Sequence, residues 1–164
     1  MRVRPLLLLV ILALAVLPWL PVSAFWITQM NYIGLYSLVV LGLLLLTGVG
    51  GLTSFGQSAF VGLGAYSTAW LTTAMGVSPW LGLVAGLLLT WLVAYVLGAI
   101  TLRLSGHYLP LCTLAWCLAL FYLYGNLDFL GRYDGIASIP PVTVGGWSLS
   151  AGNRMYVLIW LILL

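Results

Sequence analysis

The chain has 164 residues, of which 64% are hydrophobic and only 4% charged, with a formal net charge of +3. So few charges cannot clothe a soluble globule of this size in polar surface, so the composition describes an integral membrane protein. The small positive excess says nothing about nucleic acid, which is not an expected partner; it reports how loops sort across a bilayer.

From the N-terminus, Arg2 and Arg4 precede an apolar stretch over 6–17 and the small residues Val22, Ser23 and Ala24. This pattern fits a retained first helix over 6–24, long enough at roughly 28 Å to cross, and it also imitates a cleaved signal peptide. Further spans are predicted over 32–49, 58–75, 80–102 and 108–124, with a last one at 155–164. Breakers mark the joints: Pro21, the glycine run 48–56, Gly76 to Pro79, Ser105-Gly106 and Gly125-Asn126. The expected fold is thus an all-α polytopic bundle forming one domain. Five full spans precede a truncated sixth, whose ten residues after Arg154 reach only about 15 Å. On that reading the chain is the N-terminal fragment of a longer permease. With the N-terminus cytoplasmic, Arg2, Arg4 and Arg103 lie inside, while a polar outward loop over 126–153 carries Asp128, Asp134, Arg132 and Arg154.

The most unusual stretch is 47–73, rich in Gly, Ser and Thr amid otherwise greasy sequence. A bilayer offers no water to a loosened backbone, so such a run is expected only beside protein or a water-filled cavity. It resembles a phosphate loop superficially, but that chemistry needs a lysine and the chain has none. Two readings stay open for it. One is an interrupted helix with a fresh N-terminus near Gln57 and Ser58 facing a polar ligand. The other is a plain turn between spans, with Gly62 and Gly64 allowing close packing. Gln57, Ser58 and Tyr66 are the candidate pathway residues.

Span 80–102 carries Gly82, Gly86, Thr90, Ala94 and Gly98 at four-residue intervals, a small face suited to close helix packing rather than to lining a pore. Trp91 and Trp116 are expected to pack at mid-membrane, and Trp19, Trp26, Trp80 and Trp147 to sit at interfaces. His107, the sole histidine, reads as a helix-end contact, and Cys112 and Cys117 as small packing residues. One histidine and two aspartates in a loop supply neither a metal site nor an acid–base pair, so an enzyme is a poor reading. An ion- or proton-coupled carrier is the alternative transport class, weakened by the lack of ionisable residues within the spans.

The run Gly51-Leu52-Thr53-Ser54-Phe55-Gly56-Gln57-Ser58-Ala59-Phe60-Val61-Gly62-Leu63-Gly64-Ala65-Tyr66 resembles the signature of permeases of branched-chain amino acid ABC importers. Leu102 to Leu109 with Thr113-Leu114-Ala115, and Asp134-Gly135-Ile136 with Ile139-Pro140-Pro141, are similar to two further stretches of that family. Order and spacing suit its M-type subunit. The chain departs from the pattern at Ser58, Ser105, Pro110 and Arg132-Tyr133. The resemblance implies a multi-pass protein of the bacterial inner membrane that binds no cofactor itself. Its implied partners are a second permease subunit, ATP-binding cassette subunits that hydrolyse ATP, and a periplasmic substrate-binding protein. Leucine, isoleucine or valine is the implied substrate, with urea and short amides carried by close relatives.

Overall fold

In the computed structural model the described residues are 17–19, 22–101, 103, 108–144, 146–150 and 152–163. The greater part of the expected first span lies outside them, as do Arg2, Arg4, Ser105, Gly106 and His107. Five helices follow one another: α1 (Ala24–Gly48), α2 (Gln57–Ala74), α3 (Pro79–Thr101), α4 (Tyr108–Asn126) and α5 (Gly152–Leu163). A two-residue antiparallel ladder, β1 (Thr143–Val144) with β2 (Trp147–Ser148), is the only strand pairing among the described residues. The chain is an all-α membrane protein in which α1, α3 and α4 are each long and apolar enough to cross a bilayer.

The helix boundaries follow local chemistry. α1 starts eight residues before the expected span, because 24–31 holds neither Gly nor Pro and the Thr28 hydroxyl satisfies the Ala24 carbonyl at 2.9 Å. α1 and α2 end by the same device. Gly51 and Gly76 adopt φ of +64° and +62°, and the next residue's N–H returns six positions, Leu52 to the Leu46 carbonyl and Val77 to the Leu71 carbonyl. Only glycine enters that left-handed region without cost, and the return bond occupies a carbonyl the helix would otherwise orphan. Pro79 opens α3 at a position whose N–H has no intrahelical role, and the Ser78 hydroxyl accepts from Leu81 N–H at 3.4 Å. Pro110 falls in the first turn of α4, where it is tolerated for the same reason.

The chain divides into two compact units, 1–40 with 143–164, and 41–142, rather than one domain. In the first, α5 lies along the N-terminal part of α1. Asn31 Nδ2 donates to the Gly152 carbonyl at 3.1 Å, and Tyr156, Ile159 and Ile27 are its buried core. A Cβ placed on Gly34 would stand 2.5 Å from Ile159 Cγ2, so this glycine is what lets α5 approach.

In the second unit α2 and α3 form an antiparallel pair. Gly82 faces Thr72 and Thr68, Gly86 faces Thr68, Ser67 and Gly64, and Thr90 faces Gly64, so one number falls as the other rises. Thr68 Oγ1 reaches across to the Gly82 carbonyl at 3.2 Å. α4 runs beside α2 in the same direction, with Ser58 Oγ at 2.9 Å from Cys117 Sγ and Gly62 against the Tyr124 ring. Beyond α4 the expected outward loop is organised into two 3-10 turns, Asp128–Leu130 and Arg132–Asp134, held by buried Leu130 and by Phe129 against Trp70. Arg132 Nε pairs with Asp128 Oδ1 at 2.5 Å, but both side chains are exposed and the pair contributes little. Asp134 is exposed.

The small-residue face of α3 is therefore divided. Gly82 and Gly86 are buried against α2, whereas a Cβ on Gly98 would meet nothing within 4 Å. Gly86→Ala should cost about 1–3 kcal/mol, because the new methyl would sit 2.6 Å from Thr68 Oγ1 and 3.0 Å from the Gly64 carbonyl. Gly98→Ala should be neutral or stabilising by up to about 1 kcal/mol. Denaturation midpoints of the two purified variants check the contrast, and equal losses would refute this division of the face.

Candidate functional site

The second unit bears a half-open cavity of about 880 Å³, within the range of small-molecule sites. Five segments build its wall. Leu45 and Leu46 come from the end of α1, Thr53, Ser54 and Gly56 from the connector 49–56, and Gln57 and Phe60 from the first turn of α2. Leu87, Thr90, Trp91, Ala94, Leu97, Gly98 and Thr101 come from α3, and Leu109, Thr113, Trp116 and Leu120 from α4. Most of this surface is aliphatic or aromatic, with a cluster of hydroxyls and one amide gathered at the connector. Among the described residues, none that lines the cavity carries an ionisable side chain. Among the described residues there is no His, Cys, Asp and Glu grouping able to hold a metal.

The connector is non-helical, yet much of its backbone is satisfied within the protein. Val49 and Gly50 N–H both reach the Leu45 carbonyl, and Leu52 N–H reaches that of Leu46. Phe55 N–H donates to Thr113 Oγ1 at 3.1 Å, and Gly56 N–H to Ser54 Oγ at 3.2 Å. The carbonyl end of α1 and the amide end of α2 thus both border the cavity, and each carries a partial charge near half a unit, of opposite sign. Gly56 caps α2 without any side-chain bond. Such a wall sets hydroxyl and amide groups beside a largely apolar surface.

Of the three pathway candidates, the structure brings only Gln57 to the cavity. Ser58 and Tyr66 project instead toward α4, Ser58 onto Cys117 and Tyr66 onto the Tyr124 ring at 5.3 Å between centroids. Successive helix positions diverge by about 100°, so adjacent Gln57 and Ser58 cannot serve one face equally. The hydroxyl richness of 47–73 also means less than its composition suggests. Thr47, Ser67, Thr68, Thr72 and Thr73 each donate to a carbonyl four residues back, which quiets the hydroxyl inside its own helix. Gly62 and Gly64 do face neighbours, the Tyr124 ring at 3.0 Å and Thr90 Oγ1 at 3.4 Å from a built Cβ. Trp91 and Trp116, expected to pack, line the cavity instead; the Trp116 indole nitrogen is buried without a partner among the described residues. Thr90, Thr101 and Thr113 were not legible as lining residues, because only tertiary packing turns them there. Asp128 and Asp134 stand apart from the cavity.

The interface behind the cavity is closed by Tyr124, whose hydroxyl donates to the Ala59 carbonyl at 3.0 Å with both residues buried. Tyr124→Phe should lower stability by about 0.5–1.5 kcal/mol, the usual value of one such bond. The denaturation midpoint of the purified protein measures it, and an unchanged midpoint would contradict a stabilising role.

Residues 26–164 match the family described as branched-chain amino acid transport system / permease component. Two curated relatives are each 32% identical over 121 residues: the high-affinity branched-chain amino acid transport system permease protein LivM of Salmonella typhimurium and that of Escherichia coli. The match covers 73% of this chain and 28% of each relative, so the chain spans a little over a quarter of their length. No solved structure matches.

Proposed function

The chain belongs to the permease-component family of branched-chain amino acid transport systems, and on that premise we propose that it forms part of the translocation pathway of an ATP-driven importer. The proposed setting is a bacterial inner membrane crossed several times. A second permease subunit completes the pathway, separate ATPase subunits supply energy, and a periplasmic protein delivers the solute. The observation that carries this reading is the uncharged cavity at the junction of two helix ends. A branched aliphatic side chain suits the wall of Leu87, Trp91, Leu97 and Leu120. The ammonium and carboxylate of the same solute suit the carbonyl end of α1 and the amide end of α2, respectively. Among the described residues the lining carries no ionisable group to couple a proton, which favours an external energy source over a secondary carrier.

Leucine uptake by the assembled transporter should stop when its ATPase is disabled and persist when the membrane potential is collapsed with ATP held constant; the reverse would favour ion coupling. Gly98→Phe should fill the cavity, lowering uptake roughly 10- to 100-fold while leaving assembly intact, as expected for about 1–3 kcal/mol of steric conflict. Undiminished leucine uptake from a well-assembled Gly98→Phe transporter would place the pathway elsewhere.

A further inference from the structure

Thr113 occupies an unusual position between the cavity and the segment that shapes it. Its hydroxyl has one proton, which goes to the Pro110 carbonyl at 2.9 Å within the same helix. The oxygen is thereby left as an acceptor, and it takes the N–H of Phe55 from the connector at 3.1 Å. The neighbouring Gly56 is buried close to the same residue, a built Cβ lying 3.2 Å from the Thr113 carbonyl and 3.5 Å from its Cβ. The Phe55 ring is 65% exposed in this chain, so burial of that side chain is not what holds the connector to α4. Directly before this anchor come Thr53 and Ser54, and directly after it Gln57; together these three supply the connector's share of the polar wall, beside Thr90, Thr101 and Thr113 itself.

We infer that Thr113 is a positioning residue for solute recognition: its hydroxyl pins the connector to α4 and so fixes where Thr53, Ser54 and Gln57 stand. The substrate it serves rests on the permease function proposed above, but the tether itself rests on geometry alone. Without the hydroxyl the Phe55 amide loses its acceptor, the polar wall loosens, and a solute meets that wall in several arrangements instead of one. Release of the same bond is required for any movement of the connector away from α4.

The test uses the assembled transporter carrying Thr53→Cys, with Cys112 and Cys117 replaced by alanine, and follows modification of position 53 by a water-soluble methanethiosulfonate. Adding Thr113→Val to that background should raise the labelling rate, and adding it to the otherwise unsubstituted transporter should raise the KM for leucine, each by about 3- to 10-fold, the value of one neutral hydrogen bond. Thr113→Ser, which keeps the hydroxyl, should stay within about twofold of the parent on both measures. Unchanged labelling with Thr113→Val, or a serine variant as altered as the valine one, would overturn the inference. If Thr113→Val and Thr113→Ala both fail to assemble while Thr113→Ser succeeds, the hydroxyl belongs to folding and a positioning role is overturned. Labelling needs no transport, so absence of leucine uptake in the unsubstituted transporter would reject the permease function alone. A labelling rate indifferent to the hydroxyl, with uptake intact, would reject the tether alone.

Discussion

A backbone that leaves the helix inside a membrane protein must find its hydrogen bonds within the protein or in an enclosed aqueous space. Within residues 49–56 the amides of Val49, Gly50, Leu52, Phe55 and Gly56 meet this constraint inside the protein, and the arrangement of unit two follows from how they do so. The return of Leu52 N–H to the Leu46 carbonyl ends α1 cleanly, Thr113 and Ser54 take up the amides of Phe55 and Gly56, and α2 restarts at Gln57. Because the segment is short, the two helix ends remain close, and their opposed partial charges border one cavity.

The small residues of α3 divide in support of this arrangement. Gly82 and Gly86 carry α2 at close range, where the Thr68 proton, held mainly by the Gly64 carbonyl, is shared with that of Gly82. Ala94 and Gly98 continue the same face toward the start of α2, and there the space they leave is cavity. α4 closes the other side of α2 through Tyr124 and Ser58. One helix face thus provides both contact and room, and the change from one to the other coincides with the end of its partner.

Much of this was legible in the residues. Helix class, the approximate limits of α2, α3 and α4, and the break at the glycine run all follow from hydropathy and from Gly and Pro placement. The family was legible too, because the run 51–66 is specific. Less legible was the direction of side chains. Ser58 and Tyr66 share composition with the cavity wall but turn toward α4, since the helical period places them on another face than Gln57. Hydroxyls on α2 drew attention as polar groups, yet most of them bond their own backbone, a local satisfaction that sequence cannot tell from ligand binding. The early start of α1 escaped notice because 24–31 mixes aromatic and polar residues, which hydropathy reads weakly although nothing there interrupts a helix.

Passage of a polar solute beside the connector requires that water, not lipid, reach that space. A nitroxide attached at position 53 of the transporter in lipid bilayers, read by its collisions with dissolved oxygen and with a water-soluble nickel chelate, measures this directly. The expected result is a strong preference for the chelate, opposite to that of a nitroxide at Leu88 on the exposed side of α3. Oxygen-dominated collisions at position 53, matching those at Leu88, would contradict it.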